Sequence, residues 1–347
     1  MHIGDIMTHL ESCVDRIINE CTAKNLAVRV GMNDRILYEI YRSENSVVDK
    51  NTLFDMASVT KILATTSLCL IAFDKGILSC EDKVSKFFEC DKEKESLTVF
   101  HLLTHTMGIG HKPLNKQGNT GENIAEYILQ IPCDIPIGSD VLYSCPGFIL
   151  LGKILEKVFC KPLEIIFDEL VCKPLGMCST CFRPHKKENI VNSNPEVDKC
   201  GIVNDYNCQY LGGAVGNAGV FSNIEDMTVY AKFLLQKGYP IISEKTFEKA
   251  IENYTATMDE SRGLGFLYVD ERYSQTGRLF PVGSIGHCGH TGQSVFVDFQ
   301  SGLYVIILSD ATISTVKKYG GEKYKEVMQM RADIHNAIYD DLANSRG

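Results

Sequence analysis

The sequence predicts an α/β fold: an antiparallel sheet flanked by helices and completed from both ends of the chain, with a mostly helical lobe between. Two observations lead to it. Runs rich in β-branched and aliphatic residues occur early, at 26–30 and 36–40, and return only at 265–270, 292–299 and 303–309. Between them the apolar residues recur at helical spacing, and no repeat, low-complexity tract or proline-rich linker divides the chain. The expected organisation is therefore one catalytic-sized domain over 1–347, with an α/β lobe from about 1–62 and 260–347 and a helical lobe from about 63–259.

Each element has its own signal. Ile6, Leu10, Val14, Ile17 and Ile18 repeat every three to four residues, which predicts a surface helix. The two β-rich runs that follow flank Asn33-Asp34, a pair suited to a hairpin connection. From Ser58 to about Lys75 the pattern is apolar nearly all round, which predicts a buried helix ending at Gly76. Further helices are expected near 98–105, 122–130, 146–159 and 163–171, and Ser222-Asn223-Ile224-Glu225 reads as a capping box opening a helix to about Gln236. Residues 183–207 are polar and irregular, as in a surface loop over a cleft. Gln300-Ser301-Gly302 turns the last two strands, and a final helix spans roughly 320–343.

Composition narrows the function classes. At 44% hydrophobic and 23% charged residues the chain is ordinary for a globular protein. A formal net charge of −9 argues against nucleic acid or an anionic membrane as the main partner. No apolar stretch is expected to reach the roughly 18 residues of a membrane helix, so no transmembrane segment is predicted. The first twenty residues lack the basic start and apolar run of a secretory signal. The chain is therefore expected in the cytoplasm, where its 14 cysteines would stay reduced; export would require a leader outside this chain.

The chemistry starts at Ser58-Val59-Thr60-Lys61. On a helix, residues i and i+3 share a face, so the Lys61 amine can reach the Ser58 hydroxyl. A serine needs such a base to attack at neutral pH, and a helix N-terminus would favour a developing oxyanion. Alone, the motif is weak and reads better as an N-cap serine followed by a solvated lysine one turn later. Two further segments change that balance: Tyr143-Ser144-Cys145, a loop tyrosine leading into a helix, and Gly289-His290-Thr291-Gly292, just before a strand.

With these three segments in this order the chain resembles the serine β-lactamase and penicillin-binding protein superfamily, and most closely its class C β-lactamase-like branch, which includes D,D-peptidases and S-x-x-K esterases. The family's signatures are S-x-x-K, Y-x-N and K-T-G or H-T-G. The resemblance extends through His101-Leu102-Leu103-Thr104-His105-Thr106-Met107-Gly108, Pro174-Leu175-Gly176-Met177 and the segment 211–222. It implies the β-lactamase/transpeptidase-like fold and a serine hydrolase that cleaves an ester or amide through an acyl-enzyme, a D-amino-acid peptide or β-lactam among the candidates. Ser58 would be the nucleophile, with Lys61 and Tyr143 sharing the base role at lowered pKa values. Backbone N–H groups of Ser58 and Gln293 would form the oxyanion hole. His290 and Thr291, with Gly292, would line the cleft and hold a substrate carboxylate or the Tyr143 hydroxyl. The implied partner is a small-molecule or peptide substrate, with no cofactor and no metal; oligomeric state is not legible.

Two departures from the pattern matter. Cys145 stands where the family has an asparagine, and a thiol is weak as donor and acceptor. This disfavours an efficient β-lactamase or peptidase, and it leaves a catalytically inactive binding or regulatory protein as the alternative. His290 in place of lysine would make anchoring of an anionic substrate pH-dependent. Other motifs carry less. Cys178-Ser179-Thr180-Cys181 lacks a second ligand pair, His101 and His105 lack the glutamate of H-E-x-x-H, and the glycines at 212–219 lack a following lysine.

Overall fold

The computed structural model describes residues 7–20, 22–44, 46–115, 121–185, 188–193, 200–311 and 322–345. Strands β1 (Asn25–Met32) and β2 (Arg35–Ser43) form the predicted antiparallel hairpin. Short strands β3 (Phe54–Asp55), β4 (Cys181–Phe182) and β5 (Val220–Ser222) make a separate sheet in the order β3-β5-β4. Strands β6 (Leu267–Tyr268), β7 (Ile285–Cys288), β8 (Ser294–Asp298) and β9 (Leu303–Ser309) complete the main sheet, whose order is β2-β1-β9-β8-β7-β6 with every pairing antiparallel. The last strand lies beside the first, as the split of β-rich runs between the chain ends requires.

Both faces of this sheet are covered. Leu26, Val28 and Val30 of β1 and Val305 and Ile307 of β9 pack under two helices, α1 (His9–Asn19) and the C-terminal helix, through Leu10, Val14, Ile17, Ile334 and Ile338. Ala27, Ile306 and Leu308, one residue out of phase, face the larger core with the helical segments. Strands buried on both faces read as continuous apolar runs, and that is why β9 shows no alternation. Helix α1 opens with a capping box between Thr8 and Glu11.

The predicted helix from Ser58 to Lys75 is a composite. A 3-10 turn (Ala57–Val59) leads into a π-helical stretch (Lys61–Thr66) and then α2 (Ser67–Asp74). Wider turns of this kind occur often at functional sites. One sequence expectation is corrected here: the window Ala57–Asp74 does reach 18 residues of membrane-helix length and composition, and 83% of it is buried inside the fold.

Helices α3 (Val99–Leu103), α4 (Ile124–Leu129), α5 (Cys145–Phe159) and α6 (Leu163–Phe167) fall where expected, α6 passing through a π turn at Asp168–Cys172 into α7 (Lys173–Leu175). Helices α8 (Tyr206–Tyr210), α9 (Ile224–Leu235), α10 (Glu244–Ala250) and α11 (Glu322–Asn344) follow. The cap of α9 is Asn223, whose side chain accepts from the Asp226 N–H; Ser222 ends β5 instead and pairs with Thr180. Strand β7 goes beyond the sequence expectation, because four residues containing Gly286 and His287 carry too little β signal. The loop at 183–207 is tied back at Asn204, whose N–H donates to Asp55 Oδ2 at 2.6 Å. Residues 312–321, between β9 and the last helix, lie outside the described residues.

Candidate active site

Two chain segments meet at the start of the buried composite helix. Strand β3 ends at Asp55, and Ala57, the residue before Ser58, has φ +44°, a left-handed conformation that costs a non-glycine residue of order 1–3 kcal/mol. The neighbours hold it there. Asp55 Oδ1 accepts the Ala57 N–H at 2.8 Å, while the Asp55 carbonyl accepts Thr291 Oγ1 at 3.0 Å and Gln293 Nε2 at 2.7 Å. Burial, the main cause, pushes the fully buried Asp55 carboxyl up to about 6 against the N–H groups of Asn204 and Ala57.

The turn between β7 and β8 completes the frame. The Gly289 N–H donates to the Gln293 carbonyl at 2.8 Å. A Cβ on Gly289 would lie 3.0 Å from the Met56 carbonyl and 3.3 Å from Ala57 Cβ, so the turn rests against the Ser58 segment. Gly292 has φ +88°, and a Cβ there would fall 2.1 Å from Ser309 Oγ; only glycine fits. Arg331 of α11 donates to the carbonyls of Gly289 and of Gly292, the latter at 3.3 Å, and to Gln275 Oε1 at 2.7 Å. Sequence reading missed Arg331, which sits in an ordinary helical pattern with no motif around it.

Lys61 is fully buried and is the hub of the site. Its Nζ donates to Ser58 Oγ at 2.9 Å, to the Asn217 carbonyl at 3.0 Å and to Cys145 Sγ at 3.6 Å. Tyr143 stands beside this hub, with Lys61 Nζ 4.9 Å from its ring centroid. Tyr143 is held from behind. His105 stacks on it at 4.5 Å and accepts the Ser144 N–H through Nδ1 at 3.0 Å, with the Arg262 guanidinium 5.6 Å from the ring. Ser144 then caps α5 through the Gly147 N–H. His101 closes the start of α3 on the Thr98 N–H, which is a capping role.

The charge pattern departs from the expectation of lowered base pKa values. Burial acts to lower the Lys61 amine, but Cys145 and Tyr143 beside it more than offset this, and it is held above its ordinary value. Burial raises the Tyr143 phenol, only partly countered by Lys61. Cys145 goes the other way: burial opposes it, yet the Lys61 charge and a hydrogen bond with His111 bring the thiol below its ordinary value. His290 keeps an exposed edge; the protein around the rest of it, with His111 and Arg331, pushes the imidazole down to about 4 against the pull of Asp205. Its predicted charge-based grip on anions would thus need acid conditions. The Thr291 hydroxyl and the Gln293 amide are both fully buried and directed to Asp55 rather than to the cleft.

The sequence profile described as Beta-lactamase matches residues 11–324. The chain belongs to the beta-lactamase family. Among curated relatives in this family is the N-acetylmuramyl-L-alanine amidase of Bacillus subtilis (strain 168), 26% identical over 299 residues, which are 75% of this chain and 68% of that protein. Among solved structures, EstCE1, a hydrolase with promiscuous acyltransferase activity, superposes with a TM-score of 0.74 at 19% identity, covering 94% of this chain and 97% of that one. A penicillin-binding protein homolog from Caulobacter crescentus gives a TM-score of 0.73 at 13% identity over 96% of each chain. These similarities agree with the β-lactamase/transpeptidase-like fold expected from the sequence.

Proposed function

We propose that the protein is a serine hydrolase that cleaves a small ester or amide through an acyl-enzyme on Ser58. One observation carries this reading: the buried Lys61 Nζ lies 2.9 Å from the Ser58 hydroxyl and 4.9 Å from the Tyr143 ring centroid, which comes from a segment 82 residues away (143 − 61). A hydroxyl so placed can lose its proton as it attacks a carbonyl carbon. The Ser58 and Gln293 backbone N–H groups would bind the oxyanion; both segments are anchored on Asp55, one through the Ala57 N–H and the other through the Gln293 side-chain amide. One such donor is worth roughly 3–4 kcal/mol of transition-state stabilisation. The two lobes, about 1–62 with 260–347 and about 63–259, act as one catalytic unit with the site at their junction. The amidase name borne by the Bacillus relative supports acyl transfer from an amide as well as an ester.

Cys145 in the asparagine position removes the side-chain amide that would hold the amide arm of a lactam or peptide. Nitrophenyl esters, a chromogenic cephalosporin and a D-Ala-D-Ala peptide should be compared on one preparation. Ester turnover should exceed lactam turnover by about tenfold or more, the scale of one well-placed hydrogen bond. Faster lactam than ester turnover would reverse the assignment of substrate class.

A further inference from the structure

We propose that Cys145 and His111 form a proton relay with Lys61, in which the Cys145 sulfur is the terminal base for acylation of Ser58. The inference rests on the serine-hydrolase reading and addresses a gap in it. Lys61, the group nearest the nucleophile, is held in its charged form, and an ammonium has no lone pair with which to take a proton. The phenol beside it is held neutral. Of the two other acceptors on the same ammonium, the Asn217 carbonyl at 3.0 Å is too weak a base to take a proton, and the other is Cys145 Sγ, 3.6 Å from Lys61 Nζ and 3% exposed. His111, which is exposed, acts on this sulfur electrostatically and favours its ionised form. Ser58, Lys61 and Cys145 are thus joined through Lys61 Nζ, at 2.9 Å and 3.6 Å, with the His111 charge acting on the sulfur at the end of the line.

One N–H bond of the Lys61 ammonium breaks first, its proton passing to the Cys145 thiolate to form S–H, and the freed Nζ lone pair then takes the Ser58 proton as the O–H bond breaks and Oγ attacks. The Oγ electron pair makes the bond to the substrate carbonyl carbon, whose π pair moves onto oxygen. Lys61 is an ammonium before and after the step, and the negative charge has moved from sulfur to the oxyanion. When the tetrahedral species collapses, the leaving oxygen or nitrogen takes a proton back along the same line. The role of His111 is to hold the sulfur deprotonated beforehand, so it is a positioning residue.

The groups facing the relay have definite effects. Lys61 and His111 favour the thiolate, whereas Asp205, at the start of α8, opposes it, and the Cys145 charge in turn disfavours a phenolate at Tyr143. On His111 the hydrogen bond to Cys145 comes first and burial opposes it, with Asp205 and Cys145 favouring the cation and Lys61 opposing it. Burial pushes up the thiols of Cys13, Cys69, Cys80, Cys90, Cys133, Cys172, Cys181 and Cys208, the opposite sense to Cys145. Thiolate character at Cys145 thus comes from its site and not from the chain at large.

The test is the pH profile of kcat/KM for a nitrophenyl ester in wild type, Cys145→Asn, Cys145→Ser and His111→Gln. In wild type the acid limb should follow the ionisation of Cys145. Both Cys145 variants should move that limb to higher pH, losing about tenfold or more at neutral pH and recovering in alkali, the scale of one acid–base group. His111→Gln should move it in the same direction and slow iodoacetamide alkylation of Cys145, by about tenfold for every pH unit that the limb moves. A Cys145→Asn or Cys145→Ser limb that coincides with wild type, or a loss equal at every pH, overturns the relay. Labelling of Ser58 by a fluorophosphonate in alkali separates the failures. Labelled variants with an unmoved limb sink the relay alone, and an unlabelled wild type sinks the hydrolase reading with it.

Discussion

Asp55 shows how a single side chain can set the site. It is a fully buried carboxyl that positions the Ala57 N–H, and its backbone carbonyl receives Thr291 and Gln293. Its folded pKa of about 6 lies above the ordinary 3.8, so the native state binds this proton more tightly than the unfolded chain does. The resulting stabilisation is complete below the unfolded value and is lost as pH rises through the folded one, in total roughly 3 kcal/mol. Urea midpoints should therefore show Asp55→Asn with a flatter pH dependence than wild type across that window. Parallel profiles would remove Asp55 as the cause. The residue scale is also where the sequence was most legible. The structure brings Ser58, Lys61 and Tyr143 close together, and Cys145 could be located although its charge state could not. A thiol's ionisation depends on neighbours such as His111, 34 residues away in sequence (145 − 111), and no local pattern reports that.

At the scale of elements, the turn between β7 and β8 is the part that must be held still. Arg331 does this from α11 through the carbonyls of Gly289 and Gly292. Arg331→Met would remove this donor from the Gly292 carbonyl at a cost of roughly 1–3 kcal/mol and leave the Gly289 carbonyl with the Gly292 N–H at 3.1 Å, seen as a lowered urea midpoint together with reduced kcat. An unchanged midpoint would show that the contacts do not matter. Gly289→Ala probes the same turn from the other side, since its methyl would meet the Met56 carbonyl at 3.0 Å. Displacing the oxyanion wall by a few tenths of an ångström should lower kcat/KM by about tenfold with little change in stability, because misplacement near 1 Å can cost about a hundredfold. Full activity in Gly289→Ala would mean that the wall has slack. Neither Arg331 nor the composite 3-10 and π geometry after Ala57 had a sequence signature. The apolar run there fits any buried helix, and only packing against β7 and α5 chooses the turn widths.

Across the whole molecule, the sheet joins chain ends: β9 lies between β1 and β8, so the central strand is among the last in sequence. A chain ending before Leu303 would leave β1 and β8 as unpaired edges facing each other across a gap. It should fail to give a cooperative urea transition or to label at Ser58, whereas a folded, labelled fragment would show that the sheet does not frame the site. This architecture was readable because long apolar runs at both ends must share a sheet. The small β3-β5-β4 sheet was not, since pairs of two and three residues carry no period. The central claim is that Ser58 is acylated, and intact-protein mass spectrometry after incubation with a fluorophosphonate tests it most directly. Wild type should gain one adduct mapping to the peptide containing Ser58, and Ser58→Ala should gain none there. An adduct that persists in Ser58→Ala, or none in wild type, would contradict the account.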